Sequence, residues 1–409
     1  MVVLCLEISE RNSHLKTVGI ICEYNPFHLG HAGHIEKTKQ ALGEDVAVIC
    51  VMSGNFVQRG DFAIFNKHAR AEMAIRGGVD LVIELPAPYS LQSAEHFADA
   101  GVHILDKLRI CDFLSFGSES GDLSILCDFA DAISSEDAQS MIKIWLDKGV
   151  SYAMAQQKAA DAIIGEKAEV FNTPNNVLGI EYIKAINSVK SKIRPFTIQR
   201  TGGEHDSDTG YSGSGLRKSF FKGEMPSALM TEAAALISEG EIKAGRGPVS
   251  FDRFELAVLS RLRGIKDFSD VPGVSEGLES RFLKYASTEY SVGRVLANVK
   301  TKRYTMARLR RILMCSILGI KTEHVQAPPP YARVLATNTT GTKLLGKARK
   351  KTKIPILTKP ASVYNLTKSA ISIFELEASA TDFYALGYPG EEERVGGREW
   401  RQSPVIVRG

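Results

Sequence analysis

Four short apolar runs, each followed by a helical pattern, constrain the fold of this chain more than any other feature. They occupy residues 17–22, 46–52, 80–85 and 112–116. Val48-Ile49-Cys50-Val51-Met52 and Leu81-Val82-Ile83-Glu84-Leu85 are β-branched and almost continuously apolar, without the alternation of a strand that wets one face. Strands of this kind are covered on both sides, as in a parallel sheet between two helical layers. The stretches 33–42, 66–76 and 93–107 have helical spacing, and Gly77-Gly78 closes the second of them as a C-cap. Helical patterns with acidic and alanine-rich faces fill 122–165, a helix is expected over 177–186, and 192–200 reads as one more strand. The expected fold class is α/β, a doubly wound parallel sheet. Such sheets bind ligands beyond the carboxyl ends of the strands, where the strand order reverses.

Three polar loops leave strands at that edge: the turn holding His28-Leu29-Gly30-His31, the loop 53–60, and the stretch after Phe116-Gly117. The first is the most telling. A helix opening there leaves N–H groups unpaired and favours an anion, and two histidines three residues apart add donors to that cradle. Gly30 lets a ligand approach the backbone. An ordinary helix with surface histidines gives the same string. His28, His31 and His34 are evenly spaced, but no cysteine or acid completes a metal set within the motif, so no metal site is expected. A second loop, Tyr211-Ser212-Gly213-Ser214-Gly215-Leu216-Arg217, puts hydroxyls, flexible N–H groups and a guanidinium in one turn, which suits outer phosphates. Taken alone, that string is also a common loop.

A chain of 409 residues with 44% hydrophobic and 24% charged residues is expected to form two or three globular domains. The division expected is an N-terminal extension over 1–16, a nucleotide-binding domain over 17–240, and a mainly helical, basic portion over 241–409. No apolar run reaches the ~18 residues of a membrane span, no signal pattern opens the chain, and the six cysteines show no framework spacing. A cytoplasmic protein with reduced thiols is expected. Charge is strongly uneven: residues 296–360 hold fifteen Lys and Arg against the single acid Glu323, an excess of +14 in a chain of net charge +4. The remainder therefore carries −10, a polarity that points to a polyanionic partner.

Within 301–320, Met306, Leu309, Leu313 and Ile317 follow helical spacing and are expected to face a core. Arg303, Arg308, Arg310 and Arg311 then form a basic face beside Tyr304, suited to a phosphate backbone. Lys343, Lys347, Arg349, Lys350, Lys351 and Lys353 add a second cluster. The same region holds Gly341 to Lys347, one residue short of a P-loop, with Ala348 in place of the magnesium-binding hydroxyl; it reads as part of the basic surface.

The longer strings are more particular. Glu23-Tyr24-Asn25-Pro26-Phe27-His28-Leu29-Gly30-His31, Val51-Met52-Ser53-Gly54-Asn55-Phe56-Val57-Gln58-Arg59-Gly60 and Gly78-Val79-Asp80-Leu81-Val82-Ile83-Glu84-Leu85-Pro86 closely resemble the bacterial tRNA(Met) cytidine acetate ligase family. So do Phe116-Gly117-Ser118-Glu119, Pro174-Asn175-Asn176 and Thr301-Lys302-Arg303-Tyr304-Thr305. That family lies within the nucleotidyltransferases bearing an H-x-G-H motif, so the resemblance implies a nucleotidyltransferase-like (HUP-like Rossmann) sheet. It also implies an enzyme that joins acetate to ATP, with magnesium on the triphosphate, and passes the acetyl group to N4 of the wobble cytidine of elongator tRNA(Met).

Carried over residue by residue, the resemblance places the ATP site on Ile21, Cys22, Glu23, Tyr24, Asn25, Pro26, Phe27, His28, Leu29, Gly30, His31, Ala32, Gly33 and His34, then Gly117, Asn175 and Arg200. His28 and His31 are the implied catalytic pair, stabilising charge at the α-phosphate and the departing pyrophosphate. Ser214 and Arg217 are assigned to the outer phosphates, and Lys302, Arg303, Arg308, Arg310, Arg311, Lys347 and Lys350 to RNA. Glycines 213 and 215 stand where relatives often have alanine and a β-branched residue. A metabolite nucleotidyltransferase and a non-catalytic RNA-binding protein on the same fold are the alternatives. ATP consumption and dependence on tRNA separate the three.

Overall fold

Alternate residues of one strand divide the molecule into its layers. In β2 (Val46–Ser53), Ala47, Ile49 and Val51 enter one apolar core while Val46, Val48, Cys50 and Met52 enter another on the opposite face. All eight residues of the strand are buried, as its unbroken apolar sequence demands. The structure, a computed structural model, describes residues 15–43, 45–150, 152–200, 212–275, 277–301 and 303–408.

Around β2 run β1 (Lys16–Cys22), the two-residue strands β3 (Phe56–Val57) and β4 (Asp61–Phe62) that pair with each other, and β5 (Leu81–Leu85). Next in the chain are β6 (Phe113–Ser118), β7 (Arg194–Gln199), β8 (Ala332–Thr337), β9 (Ile356–Leu357) and β10 (Val405–Ile406). The main sheet has the order β10-β8-β5-β2-β1-β6-β7, with β9 on β8. The five central strands are parallel, and β8 runs antiparallel to β5. From β1 the chain winds outward through β2 to β5 on one side and through β6 to β7 on the other. The strand order therefore reverses between β1 and β6, and the crevice beyond their carboxyl ends is the expected binding place.

Among the helices around the sheet and its crevice are α1 (Leu29–Leu42), α2 (Lys67–Arg76), α3 (Ala94–Leu108), α4 (Pro174–Ser188), α5 (Gly213–Phe221), α6 (Met306–Leu318), α7 (Thr339–Lys351) and α8 (Lys368–Ala385). Ile35 of α1 and Met73 of α2 pack into one face of the sheet, Phe97 of α3 and Ile180 of α4 into the other. The α/β expectation holds. The first helix starts at Leu29 rather than 33, because His28 caps it.

The portion beyond 240 does two things. Its helices over 251–320 build a core of their own, in which Phe254 stacks on Phe62 of β4 with ring centroids 3.7 Å apart. It then returns β8, β9 and β10 to the same sheet. The stretch resembling a P-loop is helical: it lies in α7, whose Gly341 packs against the backbone of Asp80, the residue just before β5. A Cβ at Gly341 would lie 2.0 Å from the Asp80 carbonyl oxygen and 2.5 Å from Thr337 Oγ1. Gly341→Ala is therefore expected to lower stability by about 1–3 kcal/mol, the usual cost of overpacking. An unchanged urea midpoint for this variant would rule out the close approach.

Candidate active site

The chain turns sharply as it leaves β1. Tyr24 sits at φ 45°, a left-handed conformation that costs a non-glycine residue roughly 1–2 kcal/mol and is kept where the surroundings enforce it. Here the ring is enclosed, 4.9 Å from Phe27 and 4.7 Å from His31 between centroids, and its hydroxyl lies 3.4 Å from Cys50 Sγ. Arg70 of α2, fully buried, clamps the outgoing backbone by donating to the carbonyls of Glu23, Ser53 and Gly54. Sequence reading missed Arg70, because a helical arginine between alanines looks like any solvated one.

His28 and His31 close the N-terminus of α1 on each other. His28 Nδ1 accepts from Gly30 N–H at 3.0 Å, and His31 Nδ1 accepts from His28 N–H at 3.3 Å, a reciprocal capping box. The rings are stacked, with centroids 3.8 Å apart and planes 29° apart. A ring nitrogen that accepts carries no proton, so each neutral ring holds its proton on Nε2 and has a donor there. The cap thus does more than end a helix: it selects the tautomer of both histidines.

A second helix N-terminus meets the first. Ser212 caps α5, accepting from Gly215 N–H at 3.2 Å, and its hydroxyl lies 2.9 Å from Ser214 Oγ. A Cβ built on Gly213 would be 3.9 Å from His28 Nε2, 3.7 Å from the Asn25 carbonyl and 3.5 Å from Arg217 Nη1. Two positive helix ends, a serine and an arginine therefore converge on the histidine pair, an arrangement that favours a polyanion. Arg217 Nη1 donates to the Asn25 carbonyl at 2.7 Å, which fixes the guanidinium at the mouth of the turn. Burial lowers its pKa from the usual range, opposed by the carboxylates of Asp61 and Glu23. Asn25 is pinned further, its side-chain oxygen accepting from Ile64 N–H at 2.8 Å. Residues 201–211 lie outside the described chain.

Beyond β6 a second group assembles. Glu119 accepts from the side-chain amide of Asn175 at 2.5 Å and from the backbone of Asn176 at 2.9 Å, sealing the first turn of α4. Burial alone would raise its pKa, but the Asn175 amide and the other donors hold it below the usual carboxylate range. Asn176 answers by accepting from Glu119 and Ser120 N–H. Arg200 Nη1 donates to Asn175 Oδ1 at 3.3 Å, and its stem lies 3.0 Å from where a Gly117 Cβ would be. Gly117, Asn175 and Arg200, 83 residues apart at the extremes, thus form one surface. Glu119 stands in the Phe116-Gly117-Ser118-Glu119 string as a possible polar residue near the site, but nothing in the sequence ties it to the Pro174-Asn175-Asn176 turn 55 residues on.

Within 21–34 the side chains divide by role. Ile21 packs on Gly101 and Phe27 on Gly77, so both act as core. Pro26 is buried, Ala32 half-buried against the core, and Leu29 exposed; a Cβ on Gly33 would meet nothing within 4 Å. The Cys22 thiol is pushed well above its ordinary pKa by burial and by Cys50. Glu23 accepts from Gln58 N–H at 2.6 Å, and burial raises its pKa against the pull of that N–H and of Arg70.

His34 does not join its neighbours: its Nε2 lies 3.0 Å from Ser115 Oγ on β6. Burial, aided by the charges of Arg200 and Lys37, brings its pKa down to about 4. An imidazole held neutral in the fold but protonated when unfolded contributes stability above its unfolded pKa near 6.5, and loses it as pH falls toward 4. The urea midpoint should drop across that window, and His34→Gln should flatten the drop; parallel profiles would refute the assignment.

The basic residues split between two edges of the sheet. Arg310 is exposed on α6, whose backbone packs directly against Gly60 of the loop following β2, so this end lies on the side of the histidines. Arg303 is exposed just before α6. Arg308 and Arg311 do not form a solvated face with them. Arg308 donates to the Gly273 carbonyl at 2.9 Å and to Ser275 Oγ at 2.7 Å, while Arg311 is largely buried, 3.4 Å from the Gln58 carbonyl. Burial lowers the Arg311 pKa to about 10. Leu309, Leu313 and Ile317 do face the core, but Met306 is 36% exposed, because it opens the helix at its rim. Lys302 lies outside the described residues. Lys347 and Lys350 are exposed on α7, which runs under the amino ends of the strands.

The family model for HIGH Nucleotidyl Transferase matches residues 15–399. A tRNA(Met) cytidine acetate ligase of Acetivibrio thermocellus is 37% identical, covering 96% of this chain and 100% of its own. The enzyme of that name from Caldicellulosiruptor saccharolyticus is 39% identical over 96% and 99%. Among solved structures, Thermotoga maritima TmcAL bound with alpha-thio ATP superposes with a TM-score of 0.90 at 33% identity, covering 96% of this chain and all of that one. Its apo form superposes with a TM-score of 0.91.

Proposed function

Since the chain belongs to the tRNA(Met) cytidine acetate ligase family of the HIGH nucleotidyl transferases, we propose that it activates acetate with ATP and acetylates N4 of the wobble cytidine of elongator tRNA(Met). The observation that carries this reading is the convergence of the α1 and α5 N-termini on His28 and His31. The acetate oxygen attacks the α-phosphorus and the bond to the β-phosphate breaks, giving acetyl-adenylate and pyrophosphate. Negative charge grows on the departing pyrophosphate and the α-phosphate oxygens. The Nε2–H donors of His28 and His31 and the positive ends of both helices are preorganised to meet it. Ser214 and Arg217 would grip the outer phosphates. Gly117, Asn175 and Arg200 would hold the adenosine. In the second step the N4 lone pair attacks the acetyl carbon, AMP leaves, and N4 gives up a proton.

Magnesium enters as part of the triphosphate substrate. Among the described residues, the carboxylates beside the cradle are already engaged by the protein: Glu23 accepts from Gln58 N–H and faces Arg70 and Arg217, and Asp61 accepts from Phe62 N–H. The trio Glu84, Glu377 and Glu399 is filled by Lys67 Nζ, at 2.5, 2.9 and 2.6 Å. Arg303 and Arg310 are the residues proposed to meet RNA on the side of the histidines.

The test is incubation with ATP, Mg²⁺, labelled acetate and elongator tRNA(Met), followed by nucleoside mass spectrometry. Label on cytidine is the expected result. Pyrophosphate release with a small acceptor and no labelled RNA would make the chain a metabolite nucleotidyltransferase, and no ATP consumption would leave an RNA-binding protein.

A further inference from the structure

A cavity of about 330 Å³ opens at the amino edge of the sheet, beneath the starts of β1, β6 and β7. The histidine loop lies at the other end of β1, a seven-residue strand, so roughly 20 Å separates the two at ~3.3 Å per residue. Three separate segments bring cations to this cavity: Arg109 after α3, Lys192 and Arg194 before β7, and Lys347 and Lys351 on α7. All five are exposed at its rim.

The two acids there are already occupied by the protein. Asp106 accepts from Ser191 Oγ at 2.8 Å and pairs with Lys107 at 3.2 Å and Arg109 at 3.4 Å. Asp112 accepts from Thr17 N–H at 2.8 Å. Among the described residues, Lys192, Lys347 and Lys351 have no hydrogen bond or ion pair. Lys347 and Lys351 stand one helical turn apart, so their like charges repel unless an anion lies between them. The Arg194 guanidinium is held over the Phe113 ring, 4.2 Å from its centroid. Five convergent cations against two carboxylates leave an excess of positive charge around a concave space, which fits a phosphate dianion or diester better than a carboxylate, since the latter needs fewer donors.

We propose that this cavity is a second phosphate-binding site, separate from the candidate active site. It takes the phosphate of an RNA backbone or of a free phosphate ester. Charge continues along α7 through Lys343 and Lys350 outside the cavity, which favours the RNA. That arm rests on the proposed function, because the RNA would be the substrate tRNA held away from its anticodon; the free-phosphate arm does not.

The variant Lys192→Gln/Lys351→Gln removes two rim charges and no packing. Binding of an elongator tRNA(Met) transcript is measured for both proteins between about 50 and 200 mM salt, and thermal midpoints are measured with and without inorganic phosphate. If the cavity takes RNA, the variant binds tRNA about tenfold more weakly at low salt. Its log–log salt slope is shallower by about 0.7–0.9 for each phosphate no longer neutralised. If it takes a free phosphate ester, tRNA binding is unchanged, but inorganic phosphate raises the midpoint of the wild type more than that of the variant. Unchanged tRNA binding together with an equal phosphate response in both proteins overturns the proposal. Acetylation of cytidine by the wild type, assayed in parallel, reports on the proposed function separately.

Discussion

His31→Ala is expected to lower acetate-dependent ATP–pyrophosphate exchange by at least about 10²-fold while tRNA binding persists, because one preorganised donor at a developing charge is typically worth 10²–10³ in rate. Two things are lost together. The Nε2–H disappears, and so does the Nδ1 that accepts from His28 N–H and orients the stacked partner ring. The cap itself contributes about 1 kcal/mol to α1, small against the burial of Ile35, Thr38 and Leu42 beneath it, so the fold should survive. The measurements are pyrophosphate exchange and filter binding of tRNA on the same preparation. Loss of tRNA binding together with exchange would falsify the division of labour between the histidine loop and the basic surface.

Lys67→Met should cost about 3–5 kcal/mol of stability, the largest structural effect expected in this chain. Lys67 is 1% exposed and its ammonium is shared by Glu84, Glu377 and Glu399, each at most 1% exposed. Arg333 also pairs with Glu399, so two cations face three carboxylates in a buried site. Burial pushes the Glu84 carboxyl up despite Lys67, whereas Lys67 and the Ala87 N–H hold Glu377 below its usual range against the same burial. Removing the lysine leaves three buried carboxylates with one cation. Their folded-state pKa values then rise, so the variant's deficit should shrink as pH falls and the carboxyls protonate. Urea melts at pH 5 and pH 8 measure both effects. A companion Lys67→Met/Glu84→Met should recover part of the loss, since an apolar pair replaces a broken ionic one. A deficit that is small at pH 8, or independent of pH, would mean the network is not held as described.

That network also explains what sequence reading could and could not reach. Lys67 lies on α2, Glu84 on β5, Arg333 on β8 and Glu377 on α8, with Glu399 close to the chain's end. Each sits in a stretch whose local pattern is ordinary. Nothing in the spacing of Glu377 and Glu399 says that they enclose a lysine more than 300 residues earlier. The same gap hid the return of β8 and β10 to the sheet, because a six-residue apolar strand between helices does not announce its pairing partner.

The basic residues show the limit differently. Helical periodicity put Met306, Leu309, Leu313 and Ile317 inside and the arginines outside; the last three of the four apolar residues are inside, and Met306 is not. Arg308 and Arg311 are turned into structural cations only because the Gly273 carbonyl and the loop after β2 come against that face. The two lysine and arginine clusters, close in sequence, end at opposite edges of the sheet because β8 reverses direction between them.

What the sequence by itself determined is the local part. Continuous apolar runs require a sheet covered on both faces, and the strand β1 and the His28–His31 cap that follows it are set by residues close together in the chain. Backbone hydrogen bonding and strand burial act over such short spans, so the pattern carries them. The tertiary structure alone decided which distant groups meet: α5 against the histidines, Glu119 and Arg200 around Asn175, and Lys67 among three glutamates. Those contacts depend on how whole elements pack, and side-chain charge interacts through space rather than along the chain.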